Sequence, residues 1–257
     1  MQAVQLTFLA LLLAHLLGDF LLQPKWLVEK KGQRLWPLLF HGSVHYATAW
    51  TCLLIFTPAV FLSVYGQTVV LGYSIVHLAI DKLKSLFIAH KARRDNVQTF
   101  LFDQLLHVIV LTIAAGLLVR SSPAALFSGF NPSPSTQARI LEAAIIYIGV
   151  VFGGGYLIRY LTRSFATKST TESPHQLENA GLYVGWIERF LVITAIVMQS
   201  PVLVGLILTG KSIARFPEFK EPRFAEYFLI GTLLSISLSV FGGILLLLAL
   251  YGTVSLK

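Results

Sequence analysis

Charged side chains are scarce in this chain of 257 residues, only 12% being Asp, Glu, Lys or Arg, whereas 55% are hydrophobic and the mean hydropathy is +0.73. An ordinary soluble domain carries about twice that charge, so much of this chain must sit in lipid. Acidic residues are fewer than basic ones, 12 against 20, and the net charge is +8. The basic residues fall in short clusters between apolar runs, as in cytoplasmic membrane loops, and this argues against a nucleic-acid partner. The only cysteine, Cys52, lies within an apolar run and has no partner, so no disulfide framework exists. The N-terminus lacks a basic start and a small-residue cleavage site and contains His15 and Asp19, so it reads as a retained span rather than a signal peptide. No Lys-Ser/Thr follows the run Gly153 to Gly155, which excludes a phosphate loop there.

Apolar runs long enough to cross about 30 Å of hydrocarbon occur near residues 3 to 22, 36 to 61, 68 to 89, 97 to 119, 138 to 160, 181 to 209 and 225 to 251. Helices are required, because an open strand leaves backbone groups unpaired in lipid. The expected fold is therefore all-α and polytopic, with about seven transmembrane helices. The stretch Ser121 to Gln137 holds three prolines with several Ser and Asn residues. It reads as a loop, 121–137, between a four-span region at 1–120 and a three-span region at 138–257. The loops with Lys25, Lys30, Lys31 and Arg34, and with Lys82, Lys84, Lys91, Arg93 and Arg94, are basic and assign to the cytoplasm. Arg159 to Lys168 fits the same side, giving an outer N-terminus and an inner C-terminus. Lys211, Arg215, Lys220 and Arg223 then fall outside, in conflict with the rule, and Pro201 offers a break in that region. Gly149 with Gly153, and Gly181 with Gly185, have the spacing that lets membrane helices approach closely.

Each of the first four spans contains two ligand-type residues four apart: His15 and Asp19, His41 and His45, His77 and Asp81, Asp103 and His107. Residues at i and i+4 share a helix face. Four-helix bundles build metal centres inside their cores from such pairs. Because span direction alternates, pairs at the end of spans one and three and at the start of spans two and four land at one level, toward the basic face. The separations repeat, 41 − 15 = 26 and 103 − 77 = 26, and an offset of 62 maps the first four residues onto the second four. This suggests two copies of a helical hairpin related by an axis along the membrane normal.

A single His or Asp in a membrane helix usually bonds a neighbouring hydroxyl or carbonyl. Eight are different, since each ionisable group costs roughly 2.5 to 3.5 kcal/mol on insertion scales, and metal binding offsets that cost. Five His and three Asp exceed the needs of one tetrahedral ion, so one or two divalent ions are expected, zinc as the first choice and manganese or iron as alternatives. Asp81 and Asp103 are the candidate catalytic carboxylates, as general base or orienting group. Gln23, Lys84 and Gln104 lie near the pairs and read more readily as helix-end polar residues than as substrate contacts. His90 and His175 fall in loops without paired ligands. Glu188 and Arg189, Lys211 and Arg215, and Glu226 lie at span ends and read as anchors or a local ion pair.

The blocks AHLLGDFLLQ, HGSVH, HLAIDKLK and DQLLH, in that order over about the first 115 residues, resemble a bacterial membrane family known as domain of unknown function 3307. The later NAGLYVGWIERF, KSIARF and AEYFLIGTLLS resemble the C-terminal part of its longer members. The resemblance implies a multi-pass bacterial inner-membrane protein and brings no activity. A looser similarity of pattern connects the paired His and Asp residues with membrane-bound metal-dependent hydrolases and zinc-dependent phospholipases C. The expected function is a metal hydrolase acting on a phosphoester, with membrane lipid as its partner and an anionic lipid or lipid-linked phosphate as its substrate. A metal or proton transporter, or a structural metal site in a scaffold or sensor, remains the alternative.

Overall fold

The structure is a computed structural model that describes residues 2–90, 95–126, 135–163 and 180–252. Lys91, Arg93, Arg94, Lys168 and His175, the side chain of His90 and residues 127–134 of the expected loop lie outside the described residues. The described elements are helical, and the chain divides into two compact units, Met1–Ile145 and Ile146–Lys257. Five helical segments among the described residues are long and apolar enough to cross a membrane: Ala3–Leu21, Leu35–Phe56, Val97–Val119, Thr136–Thr162 and Pro222–Tyr251. The chain is a polytopic all-α membrane protein.

The first unit is built from α1 (Gln2–Leu16), a π turn (Leu17–Leu21), α2 (Lys25–Lys30), α3 (Leu35–Phe56), α4 (Pro58–Phe61), α5 (Val64–His90) and α6 (Val97–Val119). α1 packs on α3 and α6, and α5 packs on the same two, so four long helices form a closed ring. Inside the ring Ala10, Leu11, Ala49, Leu53, Leu111 and Ala115 are fully buried, whereas Leu71, Ile75, Leu101, Leu105 and Ile109 point outward. That outward apolar surface suits lipid and would be unfavourable in water. Asn96 starts α6 by accepting a hydrogen bond from the Thr99 N–H at 2.9 Å, while the Thr99 hydroxyl accepts one from the Asn96 N–H at 2.9 Å. This reciprocal cap satisfies two backbone donors at the helix start. At the other end Arg120 adopts a left-handed conformation, φ 55°, and its guanidinium lies 4.9 Å from the centre of the Tyr65 ring.

The second unit takes up the end of α7 (Thr136–Ile148), a π turn (Gly149–Gly153), α8 (Gly154–Thr162), α9 (Ala180–Val197), α10 (Val202–Ala214), a 3-10 turn (Phe216–Lys220) and α11 (Pro222–Tyr251). The expected single span from 181 to 209 is instead two helices. The chain reverses where Gln199 takes φ 56° and the Ser200 N–H donates to the Ala195 carbonyl, just before Pro201. With 13 residues, α10 is about 20 Å long and too short to cross the hydrocarbon. It folds back along α9, so that Lys211 forms an ion pair with Glu188. The basic stretch that begins at Lys211 is thereby carried back along α9 rather than beyond its far end, where a single span would put it. Of the expected glycine contacts, Gly185 borders the Arg189 guanidinium but Gly181 faces open space. Tight approaches lie on α8, where an added Cβ would meet Leu238 from Gly154, and on α11, where it would meet Val150 from Gly242 and Ile196 from Gly243.

Candidate metal centre

All eight predicted ligand residues meet inside the first bundle. His15, Asp19, His41, His45, His77, Asp81, Asp103 and His107 are buried, and even Asp19 is only 8% exposed. The pairs on α3, α5 and α6 share an inward helix face, as their four-residue spacing requires. The first pair is different. His15 ends α1, whereas Asp19 sits in the π turn, where the Leu22 N–H reaches back five residues to the Leu17 carbonyl. Such a turn shifts the phase of everything after it and is frequent at functional sites. Asp19 still ends with Oδ2 3.6 Å from His15 Nε2. Gly18 makes room beside it, since a Cβ there would stand 2.6 Å from His45 Cε1.

Asp19 is ringed by imidazoles. Its Oδ1 lies 3.1 Å from His45 Nε2, 3.2 Å from His41 Nε2 and 3.7 Å from His77 Nε2. Asp81 Oδ2 lies 3.1 Å from His41 Nε2 and accepts a hydrogen bond from Lys31 Nζ at 2.7 Å. Asp103 Oδ2 accepts from Lys84 Nζ at 3.2 Å, and its Oδ1 has no hydrogen-bond partner among the described residues.

Ligand atoms fall into three overlapping groups, each with all atoms within 4.8 Å of one another: His15, Asp19, His45 and His77; His41, His77 and Asp81; Asp81, Asp103 and His107. His77 belongs to two groups and so does Asp81, so the donors form a continuous line across the bundle. A tetrahedral ion takes four donors. This set is large enough for two.

The donor chemistry fits a cation. His41 Nε2 faces Asp19, Asp81, the Lys31 ammonium at 3.2 Å and His77 Nε2 at 3.3 Å. The carboxylates call for a proton on that nitrogen and the ammonium calls for a lone pair, so no single protonation state satisfies all four neighbours. His107 has the arrangement usual for a ligating histidine: its Nδ1–H donates to the Asp103 carbonyl at 2.8 Å, leaving Nε2 bare and without a partner among the described residues. With neutral imidazoles, three carboxylates against Lys31 and Lys84 leave one uncompensated negative charge in the core, 3 − 2 = 1.

Four flanking residues join the cluster beyond the paired ligands. Lys31, read from the sequence only as part of a basic loop, enters because Leu27 of α2 is fully buried and Lys82 Nζ donates to the Gly32 carbonyl at 3.1 Å, fastening the loop over the end of α5. Burial works against the Lys31 charge, but the Asp81 and Asp19 carboxylates outweigh it and hold the ammonium above its ordinary pKa. Gln23, with its amide oriented to suit its neighbours, donates to the Asp19 carbonyl at 3.0 Å and accepts from Lys31 Nζ at 2.7 Å. Gln104 spans His15 Nε2 at 3.4 Å and Asp103 Oδ2 at 3.3 Å. The helix-end reading of Gln23, Lys84 and Gln104 thus gives way to contact with the ligands themselves. The spacing of ligand pairs carries no signal for them, and only Lys31 and Lys84 answer the need of an acidic core for counter-charge.

In the second unit Glu188 and Arg189 are buried, each 4% exposed. Glu188 pairs with Lys211, and Arg215 pairs with Glu218, a residue the sequence reading did not name. Arg189 donates from Nε and Nη2 to the Val151 carbonyl at 2.9 and 2.7 Å, using an acceptor in the π turn.

Fold and cluster together define a multi-pass membrane protein with an acidic, histidine-rich centre enclosed by four helices. Residues 7–131, which include all eight ligand-type residues, match the family described as protein of unknown function, DUF3307. No curated protein and no solved structure matches the chain, so the pattern likeness to membrane hydrolases has no relative behind it.

Proposed function

We propose that the first unit is a metal-dependent hydrolase embedded in a bacterial inner membrane, cleaving a phosphoester of a lipid or lipid-linked substrate at the cytoplasmic face. The observation that carries this reading is Asp19, a buried carboxylate with three imidazole nitrogens within 3.7 Å of one oxygen, in a core that is short of positive charge. His15, Asp19, His45 and His77 would hold one divalent ion, and Asp81 and His107, which group with Asp103, would contribute to a second, with zinc the first choice for nitrogen and oxygen donors and manganese or iron suited to the same set. Bound there, such ions supply Lewis acidity toward a phosphoester oxygen and lower the pKa of water. Asp103, with Oδ1 unpartnered, accepts the proton of the attacking water. Lys84 and Lys31 offer positive charge to the phosphoryl oxygens as negative charge grows on them.

Transport is less well supported, because beyond the cluster the bundle interior is closed by Ala10, Leu11, Leu53 and Leu111, all fully buried. The test is elemental analysis of the detergent-purified full chain together with a phosphoester cleavage assay. One or two divalent ions per chain are expected, with activity at least about a hundredfold lower in Asp81→Ala. Cleavage that continues unchanged in that variant rejects the mechanism. Ion flux in proteoliposomes that depends on His45 supports transport instead.

A further inference from the structure

Between α5 and α6 the outer wall of the bundle opens into a groove of about 840 Å³, within the usual range for small-molecule sites. On α5 its lining follows the helix period, with Ile80, Leu83, Lys84 and Phe87, and on α6 Phe102, Asp103 and Leu106 answer it. Leu83 is 64% and Phe102 62% exposed, so the groove faces outward from the helix ring, toward lipid. Asn96, Gln98 and Thr99 at the start of α6 also line it, and its charged residues are Lys84 and Asp103. Asp103 also stands among the ligand atoms of Asp81 and His107 and is itself only 6% exposed, with Oδ1 unpartnered. One side chain therefore touches both the groove and the candidate metal centre.

Resting on the hydrolase reading above, we propose that this groove takes the hydrocarbon chain of the substrate, which reaches the centre sideways from the bilayer. Three observations commit it to a lipid with an anionic headgroup. The groove lies on the outward, apolar side of α5 and α6, and α6 is long and apolar enough to cross a membrane. Its one cationic residue, Lys84, marks the end that meets the centre, which complements a phosphate. The route through Asp103 needs no aqueous path past the loop that Lys82 fastens over α5. A chain in the groove sets its ester linkage at the level of Lys84 and Asp103, where cleavage would occur.

The experiment uses the full chain in nanodiscs carrying a trace of phosphatidic acid with a photoreactive group in its acyl chain, and maps the cross-links by peptide mass spectrometry. Labelling is expected on the α5 and α6 groove peptides and should be competed by unlabelled phosphatidic acid. Leu83→Trp with Phe102→Trp should lower it at least tenfold with metal content unchanged. Both residues are exposed, and Leu86→Trp, on the same wall, serves as a second obstruction. Lys84→Met should reduce labelling by the phosphate lipid severalfold while leaving that by a photoreactive diacylglycerol unaltered. Labelling spread evenly over all lipid-facing helices, or indifferent to the tryptophans, overturns the groove. So does cross-linking of the groove to a second copy of the chain. Because labelling is read without turnover, a protein that binds no metal and cleaves nothing defeats the hydrolase reading yet still reports on the groove. An active enzyme whose tryptophan variants label normally defeats the groove alone.

Discussion

Both units bury charge among membrane helices, and both set a π turn beside it, but they resolve that charge in opposite ways. In the second unit opposite partners meet: Glu188 is paired with Lys211, and the Arg189 guanidinium is taken up by the Val151 carbonyl of the π turn. Of Glu188, Lys211 and Arg189, only Glu188 keeps a buried side-chain atom, Oε1, without a hydrogen-bond partner among the described residues. In the first unit three carboxylates face five imidazoles and only two lysines, with His41 Nε2 caught between incompatible neighbours and His107 Nε2 and Asp103 Oδ1 without partners among the described residues. Lipid tolerates ionisable groups when they neutralise one another or serve a function. In the second unit Glu188 and Lys211 neutralise one another and the Arg189 guanidinium has a carbonyl acceptor, whereas in the first unit the carboxylates outnumber the lysines.

The most direct way to break this contrast is to remove one buried ionisable side chain from each unit. His45→Ala should lower divalent-metal affinity by more than about a hundredfold, since even residues that merely orient ligands contribute about 10–100-fold. Glu188→Gln should leave metal content as in the parent protein. Metal-to-protein ratios after dialysis against a weak chelator decide it. Equal loss in both variants would falsify the division between a metal-binding and a self-paired unit.

A second variant set acts on stability. Glu188→Ala strands Lys211, which is only 20% exposed, and should cost about 3 kcal/mol, the low end for breaking a buried pair. Replacing both members, Glu188→Leu with Lys211→Met, should recover most of the loss because no charge is left unpaired. Denaturation in mixed micelles, followed by a probe in the second unit, measures both. A double variant no better than the single one means the pair does more than neutralise itself.

Glycine contacts sharpen the comparison further. Gly18→Ala forces a Cβ to within 2.6 Å of the His45 ring, and an imidazole held by Asp19 has nowhere to go, so metal affinity should fall about tenfold or more. Gly154→Ala in the second unit meets Leu238 Cδ2 at 2.5 Å, the far end of a flexible side chain that can rotate away. Its effect should be small on both metal content and melting temperature. If Gly18→Ala binds metal normally, His45 is not a ligand.

Much of this centre was legible in the sequence because two periods coincide there. The four-residue spacing puts each pair on one helix face, and the alternation of span direction puts all four pairs at one depth, as observed for His15 through His107. What escaped the reading depends on geometry that spacing does not encode. A π turn at Leu17–Leu21 leaves no mark in the apolar pattern, yet it carries Asp19. Lys31 is recruited by the packing of Leu27 and the Lys82 contact to Gly32, both tertiary events. Residues 181 to 209 form one apolar run, and only the backbone reversal at Gln199 divides it, although Pro201 hinted at the place.

The smallest expected effect tests which partner Lys31 serves. Its ammonium sits 2.7 Å from Asp81 Oδ2 and 3.2 Å from His41 Nε2, where a cation bound by those two groups would feel its repulsion. If the ligands are built for metal, Lys31→Met, which keeps the apolar stem and removes the charge, should tighten metal binding severalfold while weakening turnover of an anionic substrate. If instead Lys31 is the intended counter-ion, as Lys211 is for Glu188, the same change should loosen the fold by a few kcal/mol and leave metal binding no tighter. Chelator competition and thermal unfolding on the same preparation separate these outcomes. Tighter metal with a stable bundle would mean that the lysine tempers a functional site, and a weakened bundle would mean that both units follow the rule of the second.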